Sequence, residues 1–423
     1  MRVWTALAPF TLVLVSAFIV GSCDGGEPSD GSGDDGGDDG GACVGDPSTG
    51  DSDGDGICDS DDPCPLELVW EGNYTITDAV SSDALADYAV ITGSLVIDPD
   101  VTQIAGPACL ERVDGDLTMQ GSSTIVSLTG FDRLEEVGGH LSISHNDTLS
   151  ILDFGAALTS VGGSFFVVDD GAMTEFTMPP PLETVGGDLW FVSNLQIHSL
   201  TMPTSLAQVG GDVLIEDGFW LDTLVMPSST WEIGGDLTIK DNQLLATLEF
   251  GNGLTSLGGG FLFENNDDFV ALEFPNSLAS IGSDFVVTDN VSLESIVLPE
   301  SLEDIGGALS IFSSPALQEI DFPPGLTNVG GEVFISFLAS LPIIQLPDAL
   351  VEIDGDLSIM SNAALIDISA PGLDSVGGLL RATWNPQMPT CQATALRDQL
   401  SEVGGVCIQN NAVDTCEDDL SGC

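Results

Sequence analysis

Ile233-Gly234-Gly235-Asp236-Leu237-Thr238-Ile239-Lys240-Asp241-Asn242 opens a block that the chain repeats with little change. The aliphatic residue before its glycine turn recurs as Val137, Val161, Val185, Val209, Ile233, Leu257, Ile281, Ile305, Val329 and Ile353, each 24 residues from the last. A register kept that long requires each block to be one coil of a stack, because only stacking gives every block the same neighbours. The series runs back to Val113 and, after a step of 22, to Ile91, and forward by 23 to Val376, which predicts about thirteen coils.

Within a coil, apolar residues fall four and six places after this anchor, as in Leu237 and Ile239 or Phe261 and Phe263. That alternation predicts a short strand with one face inward. Further apolar positions follow at 12, 15, 17 and 21 places, as in Leu245, Leu248, Phe250 and Leu254. Proline recurs at 18 places in Pro203, Pro227, Pro275, Pro299, Pro323 and Pro347 and should end a second strand, since it has no N–H to give a ladder. The fold class read from this pattern is all-β: a parallel β-solenoid of 24-residue leucine-rich coils. Stacked at strand spacing, thirteen coils would span roughly 60 Å.

Three columns of side chains follow from the register. Asparagine nine places after the anchor, in Asn146, Asn194, Asn242, Asn266, Asn290, Asn362 and Asn385, is expected to form an internal ladder with turn backbone of its own and neighbouring coils. The Gly-Gly pair is expected to supply positive φ for the turn. Asp188, Asp212 and Asp236 stand three places after successive anchors. Each either caps its own glycine turn, the reading we favour, or joins the others in recruiting a cation. Five places after the anchors come Phe166, Trp190, Leu214, Thr238, Leu262, Val286, Ser310 and Phe334. Large apolar side chains in a column that should face water mark Phe166, Trp190, Leu214, Leu262 and Phe334 as a ligand-contact surface, unless a loop or a second molecule covers them or they reflect β propensity alone.

The block Gly-Gly-Asp-Leu-x-Ile, then Asn, then Leu-x-x-Leu-x-Phe-Pro-x-x-Leu-x-x-Val, resembles the receptor L domain and the leucine-rich repeats of bacterial surface antigens, over about residues 70–390. The resemblance implies a right-handed solenoid that binds proteins or glycans or serves in adhesion. It does not name the ligand. The segment from Asn385 to Leu400 resembles the helix that caps such proteins, which implies a Cys391–Cys416 pair and leaves Cys407 with Cys423. At the other end, Ser82 to Tyr88 is expected to form a short opening cap.

The 67 acidic residues against 6 Lys plus Arg give a net charge of −61, with 43% hydrophobic residues. That is a real core under an acidic skin, and it excludes nucleic acid as a partner, because phosphates need clustered cations. Residues 1–22 combine Arg2 with an apolar run and read as an export signal. Val20-Gly21-Ser22-Cys23 resembles the lipobox of bacterial lipoproteins, which implies that Cys23 is acylated and anchors the chain to the cell envelope, at the outer membrane or cell surface. Asp24, however, is an inner-membrane retention signal in some bacteria. Residues 23–50 are acidic Gly/Asp/Ser sequence and read as a tether. Without Cys23, eight cysteines remain, an even count that favours disulfides in an exported protein, although spacing leaves their connectivity open.

Residues 51–65 carry Asp51, Asp53, Asp55, Asp59 and Asp62 at positions 1, 3, 5, 9 and 12, with Gly56 at position 6 and the carbonyl of Ile57 at position 7. That is calcium-loop spacing. With Pro63-Cys64-Pro65 it resembles the thrombospondin type 3 repeat, so calcium is the implied cofactor. Residues 66–390 are assigned to the solenoid and 391–423 to a cysteine-containing cap.

Catalytic constellations are missing. The three histidines, His140, His145 and His198, are scattered in repeat phase and read as surface residues. A calcium-dependent polysaccharide lyase would need a base, and Lys240 is the sole candidate in the central coils; Glu216 and Glu264 flank it in its column, which favours a salt-bridge ladder. The sequence therefore predicts a non-catalytic, surface-displayed recognition or adhesion protein with an extracellular protein or glycan partner. The competing reading is a structural spacer.

Overall fold

The computed structural model describes Cys64, Leu66 and residues 68–102 and 104–423. Cys23, the tether and the calcium-type loop with Asp51, Asp53, Asp55, Ile57, Asp59 and Asp62 lie outside the described residues.

The described chain is a parallel β-solenoid. Its first strands form one sheet of 28 strands, in which each rung pairs in parallel with the next, through the central coils at a 24-residue offset, as in Leu141 with Phe165 and Phe165 with Leu189. Thirteen rungs are split in two at the glycine turn, and the last two, Ser375–Thr383 and Glu402–Gln409, run through unbroken. These fifteen rungs bound about 14 turns. That is slightly more than the repeat spacing indicates, because the solenoid reaches further at both ends. Leu68–Trp70 with Tyr74–Ile76 makes a rung before Ile91, and Glu402–Gln409 is a rung inside the segment assigned to the cap.

The inward alternation is as expected. In the coil that begins at Ile281, Phe285, Val287, Leu293, Ile296, Leu298 and Leu302 are all buried, and they join one core that continues through the stack. Each such side chain contributes about 1.5–3 kcal/mol by leaving water. The second strand is two or three residues long, as in Ile151–Leu152 and Ser199–Thr201, and in the latter coil ends before the recurring proline. The second-strand face, unlike the first, is broken into three sheets of three strands and one of two.

The glycine turn works differently from expectation. None of the Gly-Gly residues has positive φ. The left-handed position is instead eight places after the anchor, where His145, Asp169, Ser193, Asp217, Asp241, Asn265 and their non-glycine counterparts have φ between 53° and 59°, and Gly121 has 78°. Glycine is required in the turn for space. A Cβ on Gly210 would strike the carbonyl oxygen of Gly186 one coil back, and a Cβ on Gly211 would strike Oδ1 of Asp188.

The asparagine ladder forms inside. Asn266 accepts from the backbone N–H of Asn242 (3.3 Å) and donates from Nδ2 to the carbonyls of Ile239 (3.0 Å) and Glu264 (3.1 Å). Its own N–H is taken by Asn290 (2.9 Å). A buried turn is thereby supplied with partners that water cannot reach.

Two helices are present among the described residues. The first, α1 (Ala79–Asp83), is capped by Asp78, which accepts from the backbone N–H of Ser81 at 2.8 Å. It lies earlier in the chain than the expected opening cap at Ser82–Tyr88, and it connects two rungs, since the first rung precedes it. The second, α2 (Thr390–Gln399), buries Ala393 and Leu396 against the end of the core. Disulfides join Cys391 to Cys416 and Cys407 to Cys423, fastening the tail to this end, and Cys64 to Cys109 at the other.

Candidate functional site

The outward face of the first strands is built by the residues five and seven places after each anchor, which the pleat turns away from the core. Elsewhere this face mixes polar side chains such as Thr238, Ser310 and Ser358 with apolar ones such as Leu262, Val286, Phe312 and Phe334. Apolar side chains are densest on three successive coils. Phe166, Trp190 and Leu214 are adjacent in register, and Val168 and Val192 lie beside them in the next outward column. All five are half-buried. The Phe166 and Trp190 rings are 4.8 Å apart at 45°, and His140 stacks on Phe166 at 6.1 Å and 11°. Together with Ser142, Ser144, His145 and Glu216 they line a shallow depression of about 330 Å³.

The structure thus brings together Phe166, Trp190 and Leu214 but not the whole predicted column. Thr238 separates Leu262 from Leu214, and Ser310 separates Phe334 from Val286. Phe334 instead meets Phe312 edge-on at 5.6 Å. Val168 and Val192 were missed from the sequence, although the same two-residue alternation carried one step further leads to them. A second exposed aromatic pair, Phe219 and Trp220, stands on the turn after the strand, with His198 at 5.7 Å from Trp220.

The strip's acidic side is ordered. Lys240 Nζ meets Glu216 Oε1 at 2.9 Å, and this bond holds the ammonium above its ordinary pKa despite some desolvation. Glu264 is the register neighbour on the other side and adds to the field. With its proton held in that pair, Lys240 is not placed as a free base.

Asp188, Asp212 and Asp236 do not cap their own turns. Asp188 accepts from the N–H of Asp212 (3.0 Å), Asp212 from Asp236 (2.8 Å) and Asp236 from Gly260 (2.6 Å), so each carboxylate holds the turn of the following coil. His140 takes the same role, accepting from Ser164 at Nδ1 (2.9 Å). The three histidines are exposed; His145 and His198 lie 3.9 and 3.7 Å from Asp169 and Asp222. Among the described residues, the one metal-compatible cluster is Cys391, Asp414 and Cys416, whose two sulfurs are spent in a disulfide. No helix among the described residues is long and apolar enough to cross a membrane.

Residues 238–362 match a protein-family model described as the BspA type leucine rich repeat region, in 6 copies. Among solved structures, a leucine-rich repeat protein from Bacteroides ovatus is similar at 16% identity and a TM-score of 0.28, over 75% of this chain and 88% of that one. A leucine rich cell surface protein from Faecalibacterium prausnitzii is similar at 13% identity and a TM-score of 0.24, over 79% of this chain and 87% of that one. No curated protein matches the chain. Over residues 238–362 the chain is thus similar to BspA-type leucine-rich repeats, and the same 24-residue coil continues on both sides of that segment.

Proposed function

We propose that this chain is a non-catalytic recognition or adhesion lipoprotein of the bacterial cell envelope, which holds a protein or glycan ligand against the Phe166–Trp190–Leu214 strip. The observation that carries the reading is the strip itself. Five apolar side chains fill all but one of the outward strand positions on three consecutive coils, a density that no other three consecutive coils of this face reach. Aromatic groups in a half-buried patch with a polar rim are the usual source of contact energy, because they desolvate at little entropic cost. Ser142, Ser144, His145 and Glu216 supply such a rim.

The deciding experiment is the double variant Phe166→Ser, Trp190→Ser, assayed on glycan arrays and on cells. Binding should fall at least tenfold while the melting temperature is nearly kept. Intact folding with intact binding would favour the spacer reading, in which the repeats serve only to set a length.

Anchoring and calcium complete the proposal. Acylated Cys23 tethers the body through residues 24–50, and the disulfides suit an oxidising compartment outside the cytoplasm. Changing Cys23 to Ser should move the protein from the membrane to the soluble fraction. Calcium binds Asp51, Asp53, Asp55, Asp59 and Asp62 with the Ile57 carbonyl. Calorimetry should lose its calcium heat in the Asp51→Asn, Asp55→Asn variant; unchanged heats would reduce the segment to linker.

A further inference from the structure

The buried ladder contains one carboxylate. Asp170 occupies the place nine residues after its anchor that Asn146 and Asn194 hold on either side, and it is fully buried. Its Oδ1 accepts twice from Asn146, from the backbone N–H and from Nδ2, both at 2.9 Å. Its own N–H goes to Asn194 Oδ1 at 3.2 Å. Its Oδ2 has no hydrogen-bond partner.

Coils further along the ladder show what that second atom should meet. Asn242, Asn266 and Asn290 each donate from Nδ2 to two carbonyls, one 27 residues earlier and one two residues earlier, at 2.8–3.1 Å. For Asp170 the corresponding carbonyls belong to Ile143 and Val168. An ionised Oδ2 would set a buried negative oxygen where the fold offers acceptors and wants a donor.

We propose that Asp170 is a proton-binding site: in the folded coil its carboxyl is a neutral acid whose Oδ2–H donates where the other coils donate an amide N–H. Burial pushes its pKa up to about 6, against the two bonds from Asn146 that favour the anion. Among the described residues, the charged groups that bear on it are Asp169, which adds to the rise, and His145, which opposes it. The proton is taken from water and returned to it, with no other reactant. A carboxyl whose folded pKa lies above its unfolded value of about 3.9 stabilises the fold fully below that lower value. The contribution is lost as pH rises to about 6 and beyond.

The test compares the full chain with Asp170→Asn, which restores the residue of the neighbouring coils, in melts from pH 4 to 8. The other carboxylates act on both proteins alike, so the difference isolates this group. Asn should raise the melting temperature by several degrees at pH 8, with the gap closing toward pH 4. Infrared spectra at pH 5 should also show a protonated-carboxyl C=O band that the variant lacks. A gap that does not change with pH, or the absence of that band, would overturn the proposal. So would a gap at pH 8 that is abolished by added sodium or calcium, since a cation and not a proton would then fill the space beside Oδ2.

Discussion

The two faces of the solenoid share one 24-residue period, yet one is a continuous sheet through all fifteen rungs and the other is cut into four pieces. On the continuous face most turns are held by a side chain from an adjacent coil, the aspartates from the coil before and the asparagines from the coil after. Aspartates such as Asp188 and Asp212 take turn N–H groups, and the buried asparagines take those after the strand. The second face has no buried ladder of this kind; beside its backbone bonds it has scattered side-chain bonds, such as Ser150 Oγ to the Val126 carbonyl at 3.1 Å and Gln196 Nε2 to the Gly171 carbonyl at 2.8 Å. One of its breaks has a plain cause. Thirteen places after the anchor, Glu294, Gln318 and Ile366 donate N–H to the coil before at 2.7–2.8 Å, but the coil between the last two has Pro342 there, with nothing to donate to Gln318. A cleft bordered by Gln318 and Pro342 lies at that point. No residue type marks the corresponding break at Thr174. Period alone, then, does not keep a sheet whole: the continuous face adds side-chain bonds in most of its coils, and the second face loses a backbone donor at Pro342.

The sharpest way to break the contrast is at the glycine turn. Gly210→Val should cost at least about 4 kcal/mol or abolish folding, because the new side chain would strike the backbone of the preceding coil and the coil spacing cannot open locally. Gly171→Ala, where an added Cβ meets nothing within 4 Å, should stay within about 1 kcal/mol. Equal losses in thermal melts would refute the view that stacking contact is what demands glycine.

The next effect in size is in the ladder. Asn266→Ala removes the acceptor of the Asn242 N–H and the donor to two carbonyls, leaving buried groups unpaired, so a loss of about 2–4 kcal/mol is expected in denaturant titration. Hydrogen exchange should speed at Asn242 first. A loss below 1 kcal/mol would mean that water replaces the side chain and that the ladder does not explain the unbroken face.

The smallest effect sharpens the other side. Pro342→Ile restores an N–H opposite the Gln318 carbonyl and copies Ile366, whose N–H reaches the Pro342 oxygen at 2.8 Å. The gained bond is worth about 1 kcal/mol, and losing proline's restriction of the unfolded chain offsets about half of it or more. The readout is therefore exchange protection at residue 342 more than the melting temperature. An amide at 342 that exchanges as fast as an open loop would show that proline is not what parts the two sheets.

Much of this molecule was legible from its residues, and the reason is repetition. A 24-residue period and inward positions four and six after the anchor recur in coil after coil, so Leu237, Ile239, Phe261 and Phe263 declared their burial without any knowledge of distant contacts. The same alternation placed Phe166, Trp190 and Leu214 together on the outer face. What the sequence could not decide was which polar partner each side chain takes, because those partners lie a full coil away and are set by coil spacing. Gly210 reads as a turn residue until Gly186 is seen beneath it, and Asp188 reads as its own turn's cap until it is found holding Asp212. Asp170 reads as one more surface acid among 67 acidic residues. Only stacking encloses it among Asn146, Asn194 and the core, and burial, a property of the folded coil alone, is what changes its chemistry.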